Sequence, residues 1–263
     1  MISDYLPNIK GLIIDMDGVL WHDTEPLGNL PAIFDKIRAL GFKIILVTNN
    51  ATRTVEEYHK KLRKFSVELD DWQVINSAQA VGIYLQRKYP QGAAVYVVGQ
   101  PSLKTSIADT GLRIISDDEP SADVVVASLD YELTYEKLKR AALLIRAGSY
   151  FVGTNSDITL PTPNGLIPGS GTIIRALEIA TEVKAKLIGK PEPYLYEMAL
   201  DRLQLTPNET LAIGDRLETD IAGAQAAGMH TALVLSGVST REQAESFHPQ
   251  PDLIAQDLTD LFF

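Results

Sequence analysis

Cysteine is missing from all 263 residues, so disulfides, thiolate metal sites and cysteine nucleophiles are excluded together. Long apolar runs are missing as well: no stretch approaches the ~20 residues of a membrane span, and the opening MISDYLPNIK lacks the charged-then-apolar pattern of a secretory signal. Positive charge is scarce. The chain carries 24 Lys and Arg against 34 Asp and Glu, a net charge of −10, which is the wrong sign for a nucleic-acid or anionic-membrane binder. A cytoplasmic protein with no nucleic-acid and no membrane partner is therefore expected, and any anionic ligand needs local positive charge. With 45% hydrophobic and 22% charged residues, the composition is that of an ordinary globular protein. Its length suits one large or two modest domains, and a homo-oligomer is compatible with everything in the chain.

Short runs rich in Val and Ile alternate with longer amphipathic stretches, which predicts an α/β fold with a parallel sheet covered by helices. Strands are expected at 12–14, 43–47, 74–75, 95–98, 124–127, 150–152, 185–188, 211–213 and 231–234. Between the first two, Leu30, Ile33, Phe34, Ile37 and Leu40 step at helical spacing and stop at Gly41. Thr54 with Glu57 forms a capping-box pattern ahead of an exposed helix, Thr134 opens another that ends at Gly148, Pro193 opens a third, and Asp220 to Ala227 forms a last one before Gly228.

Functional groups in an open parallel sheet gather beyond the carboxyl ends of its strands. There the chain places Asp15 and Asp17 after GLII, Thr48, Asn49 and Asn50 after IILV, Gly189 and Lys190 after KLI, and Gly214 and Asp215 after LAI. Each alone has an ordinary reading as a turn or cap residue. Taken together, DMDGVL (15–20), VTNN (47–50), GKPEP (189–193) and GDRLETD (214–220), in that order, resemble the four motifs of the haloacid dehalogenase superfamily across nearly the whole chain. The resemblance implies a doubly wound, Rossmann-like sheet and phosphoryl transfer through an aspartyl phosphate.

Residue chemistry points the same way. A phosphate monoester brings about two negative charges toward several carboxylates, and like charges near 4 Å repel by about 4 kcal/mol per pair at an effective dielectric of 20. Lys190 offsets only one. A hard divalent cation held by oxygen suits the remainder, and Mg2+ is the natural choice. By resemblance, Asp15 and Asp215 and the carbonyl of Asp17 bind that ion, with Asp220 behind them. Asp15 would be the nucleophile and Asp17 the acid and base, while Gly18, Thr48, Asn49, Asn50 and Lys190 would hold the phosphoryl group. Asp17 separates this chain from dehalogenase relatives, which lack an acid there.

Spacing divides the chain. Asp17 and Thr48 are 31 residues apart, room for one helix and a strand, whereas Thr48 and Lys190 are 142 apart, roughly one hundred more than the intervening core elements need. An inserted α/β cap is expected at 81–183, with the catalytic core at 1–80 and 184–263. A cap inserted after the second motif resembles the type IIA subfamily, which includes p-nitrophenylphosphatases, phosphoglycolate phosphatases and pyridoxal phosphatases. In that cap, Asn155 and Asp157 are candidates for choosing the leaving group, and Gly169 to Thr172 either opens a helix toward an anion or is plain turn chemistry. Trp21 and His22 either touch substrate or pack beneath the nucleophile loop. The expected function is hydrolysis of a small phosphorylated metabolite. Transfer of the phosphoryl group to a second metabolite, or binding of a phosphometabolite with little turnover, are the alternatives.

Overall fold

The computed structural model describes residues 6–162 and 165–263, and the chain forms two compact units. The first comprises Met1–Thr48, Val55–Ile75 and Lys190–Phe263; the second comprises Asn49–Thr54 and Asn76–Gly189. Among the described residues, no helix is long and apolar enough to cross a membrane.

The first unit begins with β1 (Gly11–Ile14), buried at every residue as a strand covered on both faces should be. A two-residue-per-strand hairpin, β2 (Trp21–His22) and β3 (Glu25–Pro26), follows. Helix α1 (Leu30–Ala39) starts where the Asn29 side chain accepts the Ala32 N–H, and it buries Leu30, Ile33, Phe34 and Ile37. Leu40 departs from the expected stripe: it sits at the helix end before Gly41 turns left-handed at φ +80°, and it is exposed. Strand β4 (Lys43–Thr48), helix α2 (Val55–Lys64) and β5 (Val74–Asn76) complete this half. Helix α2 is less exposed than its charge suggests, since Tyr58, His59 and Leu62 are buried.

The second unit runs α3 (Ser77–Lys88), β6 (Ala94–Val98), α4 (Pro101–Ala108), β7 (Arg113–Ile114), β8 (Val124–Ala127), α5 (Tyr135–Arg146), β9 (Tyr150–Gly153), the antiparallel pair β10 (Thr159–Thr162) and β11 (Gly165–Pro168), α6 (Ser170–Thr181) and β12 (Lys186–Leu187). Its five-stranded sheet has the order β12-β9-β8-β6-β7 and every pairing in it is parallel. A separate core of residues such as Val125, Phe151, Ile174 and Leu177 lies on this sheet. The unit reaches beyond the expected 81–183 at both ends. Helix α3 already starts at Ser77, capped by Asn76, and Gly82 packs so close to the Ser106 carbonyl of α4 that a Cβ would stand 2.7 Å from it. At the other end β12 pairs with β9. The segment before Lys190 is therefore a strand of this second sheet, which corrects the expectation that all four site-bearing strands share one sheet.

The chain then returns to the first unit with α7 (Tyr194–Leu203), β13 (Thr210–Gly214), α8 (Ala222–Ala226), β14 (His230–Val234), α9 (Arg241–Ser246) and β15 (Leu253–Ala255). The six strands of this unit have the order β15-β14-β13-β1-β4-β5, with β1 paired in parallel to both β13 and β4. From β1 the chain moves outward to β4 and β5; from β13 it moves the other way, to β14 and β15. The switch point lies between β1 and β13, where open α/β sheets bind ligands. Beneath it, Leu12, Ile14, Leu20, Phe34, Leu46 and Ile213 belong to one apolar core.

Phe34 has 0% of its surface exposed, so Phe34→Ala should cost about 3–5 kcal/mol through lost burial and a residual cavity. Urea unfolding measures this, and a loss below about 1 kcal/mol would contradict the assignment of this stripe to the core.

Candidate active site

Strand β1 pairs through Ile14, and the Asp15 N–H still donates to the Ile213 carbonyl at 2.9 Å, so the Asp15 side chain emerges at the carboxyl edge beside β13. Asp215 leaves β13 directly after Gly214. Two carboxylates thus stand at the switch point. Their oxygens, with one from Asp220, lie within 4.8 Å of one another.

Lys190 enters this cluster from the start of the segment leading to α7 and is 2% exposed. Its Nζ donates to Asp15 Oδ1 at 2.5 Å and to Asp220 Oδ1 at 2.6 Å, and lies 3.4 Å from the Val47 carbonyl. The second oxygen of Asp220 accepts the backbone N–H groups of Asp215 (3.1 Å) and Arg216 (3.0 Å). Asp220 therefore has both oxygens committed to protein donors. Asp15 and Asp215 each give one oxygen to such donors, Asp215 Oδ2 accepting the Val238 N–H at 2.8 Å. That division leaves Asp15 and Asp215 as the carboxylates best able to hold a cation, with Asp220 steadying Lys190 and the turn.

Close approach of acids needs missing side chains. A Cβ on Gly214 would lie 2.2 Å from Asp220 Cβ, and one on Gly237 would lie 2.0 Å from Asp215 Oδ2. Gly18 is left-handed, at φ +86°, and a Cβ there would come 2.6 Å from Asp215 Oδ2. Its glycine thus makes room for a carboxylate, a reason separate from the expected approach of backbone to phosphate. Between Arg216 and α8 the segment Leu217–Ile221 winds as a single π-helical turn, a form that often marks functional sites. Here it returns Asp220 to the site.

Electrostatics follow from crowding and burial. Burial holds the Asp15 carboxyl well above its ordinary range against the pull of Lys190, with Asp220 and Asp215 adding to the rise. Asp215 is pushed up to about 7, first by burial and then by Asp220. Burial alone would lower the Lys190 ammonium, but Asp15 and Asp220 outweigh it and hold the pKa well above the usual lysine value. Three acids face one ammonium, and such an oxygen-rich, electron-hard donor set fits a divalent ion of the magnesium type. Tyr196 donates to the Asp220 carbonyl at 2.8 Å from α7.

The remaining expected residues divide between the units. Thr48, buried at the end of β4, and the exposed Asp17 belong to the first. Asn49, Asn50, Asn155 and Asp157 belong to the second. There, Asn49 Nδ2 donates to Asp157 Oδ2 at 3.1 Å, and the Asn49 carbonyl accepts from Ser77 Oγ (2.5 Å) and Asn155 Nδ2 (2.8 Å). Asn50 Oδ1 accepts from the Thr52 N–H and hydroxyl at 2.9 and 2.7 Å, as a turn former does. Asn155 is 2% exposed, and its oxygen accepts the Asp157 N–H at 3.1 Å. Helix α6 does open at Gly169, yet the Gly171 N–H donates to the Asp157 carbonyl at 2.8 Å, so neighbouring backbone takes a donor that an anion would use.

The loop Ser236 to Ser239 was not among the expected residues. Ser236 Oγ donates to the Gly18 carbonyl at 2.8 Å, the Ser239 N–H donates to the Asp215 carbonyl at 3.0 Å, and Ser239 Oγ accepts the Leu217 N–H at 3.1 Å. It follows the apolar run 231–235, and the strand-end rule applied to β14 would have found it.

Residues 12–113 match the family model described as haloacid dehalogenase-like hydrolase, and residues 187–261 match a second described as HAD-hydrolase-like. An acid sugar phosphatase of Staphylococcus aureus is 36% identical over 251 residues, covering 95% of this chain and 96% of the relative. Among solved structures, the p-nitrophenyl phosphatase from Archaeoglobus fulgidus superposes with a TM-score of 0.90 at 32% identity, covering 97% of this chain and 98% of that one. A glycerol phosphate phosphatase from Mycobacterium tuberculosis, solved in complex with magnesium, gives 0.89 at 35% identity over 98% of this chain and 78% of its own. Sequence kinship along the full length and the charged cluster at the switch point agree: the chain belongs to the haloacid dehalogenase-like hydrolases, as a phosphatase of type IIA.

Proposed function

We propose that this phosphatase is a magnesium-dependent phosphomonoesterase of small phosphorylated metabolites, working through an aspartyl phosphate on Asp15. The observation that carries the reading is the largely buried Asp15–Lys190–Asp220 chain beside Asp215 at the switch point. Lys190 orients the Asp15 carboxylate for in-line attack on phosphorus, with the bond to the leaving oxygen breaking as the new P–O bond forms. Asp17, exposed at the edge, gives its proton to the leaving alcohol. It then takes one from the water that attacks phosphorus and frees Asp15. Thr48 and Lys190 hold the equatorial oxygens as charge spreads over them. Asp15, Asp215 and the Asp17 carbonyl would hold magnesium, which would supply the positive charge that lets a dianion approach these acids and that offsets charge developing on the phosphoryl group.

The second unit, with Asn155 and Asp157, is proposed as the cap that selects the leaving group. Relatives named for sugar and glycerol phosphates support a small hydroxylated ester as substrate, and a cytoplasmic setting goes with that reading.

Phosphate release from p-nitrophenyl phosphate with magnesium should vanish with chelator and fall at least about a thousandfold in Asp15→Asn. Turnover undiminished in that variant would exclude Asp15 as nucleophile, and capture of phosphate by an added alcohol faster than by water would make the enzyme a transferase.

Asp215 also sets a pH dependence. Its folded pKa of about 7 lies above an unfolded value near about 4, so its contribution to stability is complete below about pH 4 and is lost as pH rises through about 7. Asp15, raised likewise, adds to the same slope. Metal-free protein should therefore lose melting temperature across this window, less so in Asp215→Asn. Added magnesium needs the charged form, so its thermal shift should be larger at about pH 8 than at about pH 5.5. Equal shifts at both pH values would count against Asp215 as a ligand.

A further inference from the structure

The proposed acid and base, Asp17, is exposed, and an exposed carboxylate rotates freely unless something holds it. One neighbour does. Four residues on, the Trp21 indole Nε1–H donates to Asp17 Oδ1 at 2.8 Å. The connection is braced by the backbone, since Asp17 and Trp21 form a β-bridge and the Gly18 N–H donates to the Trp21 carbonyl at 2.9 Å. Trp21 itself has 0% of its surface exposed. Its ring packs on Phe65 with centroids 5.9 Å apart and carries the Lys61 ammonium 3.9 Å from its centre. The tryptophan is therefore a rigid post with a single polar atom aimed at the acid.

An indole N–H can only donate, so Oδ1 must serve it as an acceptor. That fixes the plane of the carboxyl group and favours Oδ2 as the atom carrying the proton. We infer that Trp21 is the positioning residue of the acid and base step: it holds Asp17 so that Oδ2 delivers a proton to the leaving oxygen, a role nothing in packing alone requires. This rests on the proposed role of Asp17. General acid catalysis contributes about 10²–10⁴-fold when the group is well placed, and a loosely held acid keeps only part of it.

Leaving-group dependence separates positioning from structure. p-Nitrophenolate departs without a proton, whereas an alkoxide needs one, so kcat/KM for an alkyl phosphate depends on the acid and kcat/KM for p-nitrophenyl phosphate barely does. Trp21→Phe keeps an aromatic in place while removing the donor together with part of the buried ring's bulk. It should lower kcat/KM for an alkyl phosphate by about tenfold or more while changing that for p-nitrophenyl phosphate by less than about threefold. Asp17→Asn should show the same pattern, larger. Equal losses on both substrates, or none, in Trp21→Phe while Asp17→Asn shows the pattern would overturn the inference and leave the reading of Asp17 intact; absence of the pattern in Asp17→Asn would overturn both.

A second measurement is independent of turnover and of any loss of stability in the tryptophan variant. The chain has 2 tryptophans, so 15N-labelled protein shows two indole N–H signals, and Trp72→Phe, a change at an exposed ring, identifies both by the one that it removes. In Asp17→Ala the Trp21 signal should move upfield while the Trp72 signal, whose indole donates to Asp70, stays in place. A stationary Trp21 signal would contradict the hydrogen bond on which the inference stands.

Discussion

The ammonium of Lys190, buried between Asp15 and Asp220, is the interaction on which the rest of the site depends. Taking three charges out of water costs several kcal/mol apiece, an amount that short contacts recover only if every partner is in place. The partners are in place because they come from the ends of different elements that converge at one point. Asp15 leaves β1, Lys190 precedes α7, and Asp220 closes the π-helical turn after β13. Remove the lysine, and Asp15, whose charged form burial already disfavours, confronts Asp220 and Asp215 without it. Keep it, and Asp15 is aimed while the cluster stays one or two charges too negative, the condition under which a divalent cation becomes the natural complement.

Crowding of this kind has a steric side. Acids can approach so closely only where nothing else occupies the space, and three glycines provide it: Gly214 beneath Asp220, and Gly18 and Gly237 against Asp215. The loop after β14 then ties the arrangement together, reaching Gly18 through Ser236 and Asp215 through Val238 and Ser239. The loop after β1 and the opposite acid are thereby fastened to one strap. The same logic appears on a smaller scale at Asp17, whose carboxylate is held by a tryptophan that the hairpin β2–β3 turns inward.

Much of this was legible in the chain. Apolar runs ending in Asp15, Thr48 and Asp215 marked the three central strands correctly because a buried parallel strand must be continuously apolar and its functional end must not be. Order and identity of the motif residues then carried the family. What stayed hidden was non-local. KLI before Lys190 reads like the other runs, but only the structure shows that β12 pairs with β9, because a two-residue strand carries too little pattern to declare its partner. The start of α3 at Ser77 was obscured by the polar run NSAQ, which has no apolar stripe to announce a helix. Hydrogen bonds from Trp21 and from the Ser236–Ser239 loop depend on where side chains meet across the fold. Position along the chain suggested no more than that Trp21 would either touch substrate or pack beneath the loop after β1, and Trp21 packs while its one polar atom reaches Asp17.

The proposed covalent phosphoryl group on Asp15 can be trapped chemically. Enzyme turning over p-nitrophenyl phosphate is quenched in acid and reduced with borohydride, which converts an acyl phosphate to an alcohol, and the peptide containing residues 15 and 17 is sequenced by mass spectrometry. Reduction confined to position 15 is the predicted result. Reduction at position 17, or at neither aspartate while the unquenched enzyme is demonstrably turning over, would contradict the account.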